Sequence, residues 1–544
     1  MPRSVPKSSP VPPSTLGPPR TGGVDRVAAD HKGAAAPAFG RPPTAMPAEL
    51  AELFPLPLSP LEKYLVWDDR ENCPMTSFIE LQFAGLLCVD AMSEALTNTI
   101  HRHPLLASRL IQTAEGLAWE YDPHFLARLR DPDFDPPLIE HPECVDPSPR
   151  AIDLFDEPGC RYWYQPTKDP GGSRLLIQLH HACCDGVGLR QVLIDALSRY
   201  VSNVTSAVRK NERANAPEAC EFEPASSPSP RSRRRQLQPA RLRGRADFSE
   251  RKAKPVVAAL STWDKLRNAF YFHFQRPDAL AVPDRSNRQE ERPRATRLRG
   301  SPASDQPMLH HVFGVDTSKK IQAACRDRSV AINDLALAIL FDVCHQWNQE
   351  FGGRGRSSRL RVLMPVDLRS REDMRMPAAN RLSFAFLGRT ARQCVAWPEL
   401  LASVQAETQW IKDSRVYLDF LDGLDALADR PNLMKRAIRW SHHMSTSALT
   451  YAGDISRGMK HEFPERDGRR RIGDVDLAKI LIVPPARRGT NVTLGLCVNW
   501  GQICISANWN RTAFTAADCR EFLDRYGRAW EAWLIDGDPT RKPD

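Results

Sequence analysis

The residues most able to do chemistry fall within seven positions, His180-His181-Ala182-Cys183-Cys184-Asp185-Gly186, inside the stretch "RLLIQLHHACCDGVGLRQVLIDAL" from Arg174 to Leu197. A histidine near its ordinary pKa can take a proton from a hydroxyl or an amine and return it as an intermediate collapses. Three readings compete for this pattern. It could be a metal site, a histidine doing acid/base work, or an ordinary strand–loop–helix corner. Cys183 and Cys184 beside the histidines add a Cys-His nucleophile as a variant of the second. Alternation along the strand separates the two histidines: Leu175, Ile177, Leu179 and His181 share one face, and His180 points to the other. Side chains on opposite faces cannot easily share a metal. Gly186, lacking a Cβ, permits an unusual backbone angle and a close approach of its N–H to a developing oxyanion. Asp185 suits an ion pair that holds the loop, or simply a helix N-cap.

The corner is positioned by the elements around it. Before it lies an apolar strand pattern. After it, Leu189, Val192, Leu193, Ala196, Leu197 and Tyr200 form one helical stripe. Elsewhere, strands and helices alternate in two globular stretches, residues 50–202 and 307–537. The first has "FIELQFAGLLCV" as strand, a helix opened by Asp90, and "PLLASRLI" as another strand. The second has "LHHVFGV", a helix opened by Asp316, and a further helix from "INDLALAILFDVCHQW". In both, the Asp sits where an N-cap belongs. Further strands are expected in "RLRVLMPV" and "RLSFAFLG", helices in "WPELLASVQAETQWIKDS" and in Thr515 to Leu534, and a hairpin in "TNVTLGLCVNW" and "QICISANWN". The fold class is therefore α/β, in two halves of related plan.

Composition bounds what the chain can be. Its 544 residues are enough for more than one domain. Residues 1–49 are low-complexity, rich in Pro, Ala, Gly and Ser, and read as disordered. Residues 203–306 form a polar, Pro- and Arg-rich linker or insertion, and 538–544 a charged tail. No apolar run approaches the length of a membrane span, and the N-terminus has no apolar signal core. Thirteen cysteines without paired spacing read as reduced, so a cytoplasmic location is expected. Most of the net charge of +9 comes from Arg231 to Lys254, where ten Lys or Arg face two acids. Aromatics interleaved with base-reading residues are missing there, so the run reads as a solvated linker and no nucleic-acid partner is expected. After Pro255, residues Val256, Leu260, Trp263, Leu266, Phe270 and Phe274 make one helical face. That face either packs across the two halves or, with the basic run, gives 231–275 a peripheral contact with an anionic membrane surface.

"HHACCDG" matches HHxxxDG, the signature of the condensation-domain and chloramphenicol-acetyltransferase-like acyltransferase superfamily. That group includes peptide-synthetase condensation domains, wax-ester synthase/diacylglycerol acyltransferases and polyketide-associated acyltransferases. Other segments resemble it in the same order. "PLSPLEKYLVWDD" resembles the opening helix, "RHPLLASRL" the helix-to-strand "HPxLR" segment, and "SVAINDLALAIL" a second-half helix. "LMPVDLR" with "ANRLSFAF" resembles the paired strands with their Arg and Asn, and "FTAADCREFLDRYGRAW" the closing helix. Ser445 to Asp454 lacks the Asn that some relatives carry there, the plant-type "DFGWG" is absent, and the insertion has no match.

The resemblance implies two chloramphenicol-acetyltransferase-like subdomains in a V shape with a channel between them. It implies transfer of an acyl group from a thioester to a hydroxyl or amine, with His181 as general base and no acyl-enzyme. His180 would be architectural. Asp185 would pair with Arg369 of "PVDLR", and Gly186 would shape the loop and lend its N–H. No cofactor is bound permanently on this reading. The donor substrate is acyl-CoA or a phosphopantetheine-linked acyl group, with an acyl carrier protein as a partner. The alternatives are peptide-synthetase-type amide-forming condensation and a catalytically silent relative that binds carriers or membranes. His310-His311 and His442-His443 lack the xxxDG context and read as structural or surface. "GGRGR", Gly352 to Arg356, has no Walker lysine and no preceding strand, so a phosphate site there is not supported.

Overall fold

The alternating strand and helix patterns become two main sheets with helices packed on them. The computed structural model describes residues 46–167, 171–214, 236–249, 276–284, 306–352, 359–440, 444–460, 462–466 and 469–538. The N-terminal part contributes helices α1 (Ala48–Leu53), α2 (Pro60–Asp68), α3 (Val89–Ile100) and α4 (Gly186–Ala214). Its main-sheet strands are β1 (Thr76–Ala84), β2 (Leu129–Arg130), β3 (Cys160–Pro166) and β4 (Gly172–His180). The C-terminal part contributes strands β5 (Leu309–Val312), β6 (Arg359–Asp367), β7 (Leu382–Thr390), β8 (Ser447–Asp454), β9 (Glu465–Arg466), β10 (Arg469–Ile472), β11 (Val475–Val483), β12 (Val492–Asn499) and β13 (Gln502–Trp509). Its helices are α5 (Val315–Asp327), α6 (Ile332–Phe351), α7 (Trp397–Ser414), α8 (Leu418–Leu427), α9 (Pro431–Trp440) and α10 (Ala516–Asp536).

One sheet runs β9-β10-β11-β1-β4-β3-β2 and the other β5-β13-β12-β8-β6-β7. The expected hairpin is β12–β13, turning through Trp500 and Gly501, both at positive φ, as a tight two-residue hairpin turn requires. The sheets do not divide as chain order suggests. Strands β9 to β11, from the C-terminal part, complete the N-terminal sheet, with Leu481 opposite Glu80 and Val483 opposite Phe78. The two sheets meet where β11 crosses β12. A Cβ on Gly495 would lie 2.2 Å from the Ile482 carbonyl oxygen, so only glycine permits this approach. Beside it, the Asn499 side chain accepts from the Ile480 N–H (3.2 Å) and donates to the Ile480 carbonyl (2.8 Å).

Local chemistry sets the helix starts. Ser59 and Glu62 form a capping box on α2, and Thr515 and Asp518 one on α10. Asp90 and Asp316 depart from expectation. Cys88 and Gly314 occupy the cap positions without side-chain cap bonds, and each Asp lies inside the first turn. There a carboxylate acts on the helix dipole instead of on one N–H.

Part of residues 203–306 is built into the fold. Helix α4 runs on to Ala214, and the segment Gln236 to Ser249 packs on α1 and reaches α2 through Arg245. Arg245 in that segment is 3 % exposed, and its guanidinium grips Glu62 through two bonds of 2.7 Å. The solvated-linker reading therefore fails at Arg245, whose charge is buried because a buried carboxylate meets it. The helical face from Val256 to Phe274, Gly353 to Arg356 of "GGRGR", and His442-His443 lie outside the described residues, as does the low-complexity stretch up to Ala45. Among the described residues no helix is long and apolar enough to cross a membrane.

Candidate active site

Strand β4 ends at His180, and its partner β1 fixes the end by pairing Thr76 with His180. The His181 N–H donates to the Met75 carbonyl (2.8 Å), and the Cys183 N–H turns back to the His180 carbonyl (3.0 Å). This tight turn delivers Leu179 and His181 into one cavity of about 190 Å³, lined from both parts of the chain. Its walls are mostly aliphatic and aromatic, with Phe78, Leu193, Leu363, Phe384 and Ile482 among them. His180 turns the other way, with its ring 1 % exposed. Its Nδ1 accepts from the Ala182 N–H (3.2 Å), and its Nε2 stands 3.5 Å from Asp69 Oδ2.

His181 is the residue of this corner that can move a proton. Its Nδ1 is sealed in the protein without a hydrogen-bond partner, so Nε2 is the nitrogen left to meet a substrate. Burial lowers its pKa below the ordinary value of 6.5, and the charge of Asp185 only partly opposes this. The imidazole is therefore neutral near pH 7, the form a general base needs. Cys184 also borders the cavity, but burial pushes both its thiol and that of Cys183 well above the usual range, so neither readily becomes a thiolate.

Asp185 does both jobs open to it. Its Oδ1 accepts from the Gly188 N–H (2.9 Å), capping α4, and its Oδ2 meets Arg369 Nη1 at 2.8 Å and the Arg381 N–H at 2.8 Å. Arg369 continues to the Ala379 carbonyl (2.8 Å) and to Asp367 Oδ1 (3.1 Å). With Asp185 2 % exposed, this pair ties the corner to the C-terminal part. The backbone angle expected of Gly186 is not found. It enters α4 without a positive φ, and a Cβ there would meet nothing within 4 Å. Its smallness leaves cavity space open.

Three more residues hold the corner. Asn380 Nδ2 donates to the carbonyls of His181 (2.9 Å) and Ala182 (2.8 Å). Arg381, besides its backbone bond to Asp185, donates to the carbonyls of Gly244, Arg245 and Asp247 and lies over the Phe248 ring. Gly188 packs where a Cβ would stand 3.3 Å from Ala378 Cβ and from the Ala379 backbone. The Asn and Arg stand in "ANRLSFAF", but nothing local in the sequence says that they reach across to residue 181. For Gly188 there was a signal: a glycine inside a helical pattern is unfavourable unless packing requires it. Among the described residues no group of three His, Cys, Asp or Glu side chains is placed to hold a metal ion.

Two sheets meeting across a cavity, with the HHxxxDG corner on its wall, are the condensation-domain fold of two chloramphenicol-acetyltransferase-like subdomains, and solved structures of that fold match this chain over nearly its whole length. The first condensation domain of the CDA synthetase aligns with a TM-score of 0.53 at 13% identity, over 89% of this chain and 97% of its own. Polyketide synthase associated protein 5 from Mycobacterium tuberculosis aligns with a TM-score of 0.53 at 14% identity, over 88% and 98%. The starter condensation domain of rhizomide synthetase, solved in complex with C8-CoA and Leu-SNAC, aligns with a TM-score of 0.51 at 12% identity, over 90% and 97%. No family model and no curated protein matches the sequence.

Proposed function

We propose that this protein transfers an acyl group from a thioester, CoA-linked or carrier-linked, to a hydroxyl or amine, with His181 as general base. The observation that carries the reading is the placement of His181, with one ring nitrogen sealed in the protein and the ring on the wall of a mostly apolar cavity. Nε2 takes the proton of the acceptor as its oxygen or nitrogen bonds to the thioester carbonyl carbon. Collapse of the tetrahedral intermediate breaks the C–S bond, and the imidazolium returns the proton to the departing thiolate. Acyl thioester plus acceptor thus give ester or amide plus free thiol, with no covalent enzyme intermediate and no resident cofactor. The apolar walls suit an acyl chain, and a double mutant of the rhizomide synthetase starter condensation domain, which shares this fold, is solved in complex with C8-CoA. Asp185, Arg369 and Asn380 keep the base in place, and His180 is architectural.

Release of free thiol from acyl-CoA and acyl-pantetheine thioesters, with a panel of alcohols and amines, tests this. The wild type should turn over at least one pair. His181→Ala should lose about 10²- to 10⁴-fold in rate, the usual worth of a general base, with little change in melting temperature. Equal rates in the two proteins would overturn the role of His181. No release by the wild type would favour a silent, binding-only relative. Comparing amines with alcohols separates amide-forming condensation from ester formation.

A further inference from the structure

His103, in "RHPLL" between α3 and the strand that follows, is 0 % exposed and lies outside the cavity lining. Its Nδ1 accepts a hydrogen bond from the Ala378 N–H at 2.9 Å. A ring nitrogen that accepts from an N–H carries no proton, so the proton of the neutral ring sits on Nε2. Nε2 faces Asp195 Oδ2 of α4 at 3.4 Å, and that carboxylate is also paired with Arg102. The other charged group near the ring is Arg199. Burial disfavours the charged ring, which agrees with the acceptor role of Nδ1.

Ala378 opens the stretch that holds the His181 corner. The next residue, Ala379, gives its carbonyl to Arg369, and its backbone packs on Gly188. Asn380 then grips the carbonyls of His181 and Ala182, and the Arg381 N–H bonds Asp185. Four consecutive buried residues thus run from the His103 ring to the backbone of His181. We propose that His103 is a positioning residue for His181. Its unprotonated Nδ1 pins Ala378, and Ala378 to Arg381 carry that constraint to the carbonyls of the catalytic corner. This rests on the acyl-transfer reading for its consequence in rate, because an ångström of misplacement at a reacting group can cost about 100-fold. The link itself does not depend on which reaction is run.

Two substitutions separate positioning from bulk. In His103→Asn the amide oxygen can stand where Nδ1 stands and still accept from Ala378. In His103→Gln the amide reaches toward Asp195 and leaves the Ala378 N–H buried and unpaired. Each is measured for thiol release and, without substrate, for amide hydrogen exchange in peptides covering residues 376–382 and 180–186. We expect His103→Gln to lose roughly 10- to 100-fold in kcat with KM within about twofold, and to exchange faster in both peptides. His103→Asn should stay within about fivefold of wild type and exchange like it. Loss of kcat and protection to the same extent in both variants, or in neither, overturns the proposal. If the wild type releases no thiol from any pair, the acyl-transfer reading falls, and the exchange comparison alone decides the His103 link.

Discussion

The molecule makes the same corner twice. Strand β4 passes through residues 181–185 into α4, and strand β13 passes through 510–515 into α10. In each, an N–H turns back to a carbonyl three residues earlier, Cys183 to His180 and Ala513 to Asn510, both at 3.0 Å. In each, the residue before the helix caps it, Asp185 onto the Gly188 N–H and Thr515 onto the Asp518 N–H. Counted back from the first helical residue, Arg511 corresponds to His181. Arg511 is 2 % exposed, lies over the Trp509 ring and donates to Asn508, to the Trp509 carbonyl and to the Pro307 carbonyl. The second corner has a local capping box and is also tied from outside, by the Val145 N–H onto the Arg511 carbonyl (2.8 Å) and the Ala516 N–H onto Asp146. The first is held by Arg369, Asn380 and Arg381 from far along the chain, and it leaves one ring nitrogen open to a cavity. Both corners draw on distant residues, and the difference lies in the side chain at the turn: Arg511 spends its guanidinium on protein partners, whereas His181 keeps a ring nitrogen for the cavity.

The sharpest way to break this comparison is at the caps. Asp185→Asn removes the charge that meets buried Arg369, and breaking a buried pair costs about 3–5 kcal/mol. The partial replacement by Asp367 places the expectation near the lower end. Thr515→Ala should cost about 1 kcal/mol, as for an ordinary cap. Urea unfolding of both variants gives the stabilities. Thiol release should fall steeply for Asp185→Asn and stay near wild type for Thr515→Ala. Similar stability losses would mean that the Asp185–Arg369 pair adds nothing beyond an ordinary cap.

Acid should distinguish the corners next. Burial holds the pKa of His181, and that of His103, below 6.5, so the folded state takes up protons less readily than the unfolded chain. Their contribution to stability is present above the unfolded value near 6.5 and is lost as pH falls through the folded values. The same protonation removes the base. The acid limb of kcat/KM is expected at a midpoint below pH 6.5, and the melting temperature should fall in that same window. Burial lowers the Arg511 pKa only to about 10, so the second corner does not titrate there. Removing Arg511 should leave the acid limb in place, whereas an acid midpoint above 6.5 would contradict a buried, neutral His181.

Much of this was legible in the sequence because it is local. Alternation along β4 separates the two histidines, and periodicity marks α7 and α10 closely, whereas α4 outruns its stripe, which ends at Tyr200, and continues to Ala214. The HHxxxDG resemblance supplies the fold and the partner Arg369. What stayed hidden depends on residues far apart in the chain. Strand β11 joins β1 across nearly four hundred residues, which no local pattern encodes. His103 is a conventional turn residue until Ala378 is placed against it. Arg245 reads as one of ten basic residues until Glu62 is found beneath it. Asp90 and Asp316 mislead in the opposite way, since a residue type favoured at caps is also favoured one step inside the helix.

The finest distinction lies between two glycines of the first corner. At Gly188 an added Cβ would press on Ala378 and Ala379 at 3.3 Å, and so on the stretch that carries Asn380. Alanine's better helix propensity, worth up to about 1 kcal/mol, offsets part of the strain, about 1–3 kcal/mol for overpacking. Gly188→Ala should therefore lose activity several-fold with only a small change in unfolding midpoint. At Gly186 the second corner supplies the control: Ala516 already occupies the corresponding first helical position. Gly186→Ala meets nothing within 4 Å, keeps its N–H and needs no left-handed backbone. Its stability should be equal to wild type or higher by about 0.5 kcal/mol. Because Gly186 borders the cavity, the effect should appear only as slower turnover of the bulkiest acceptors. A collapse of kcat with every acceptor would show instead that the glycine is needed for its backbone, and the two corners would no longer be the same turn.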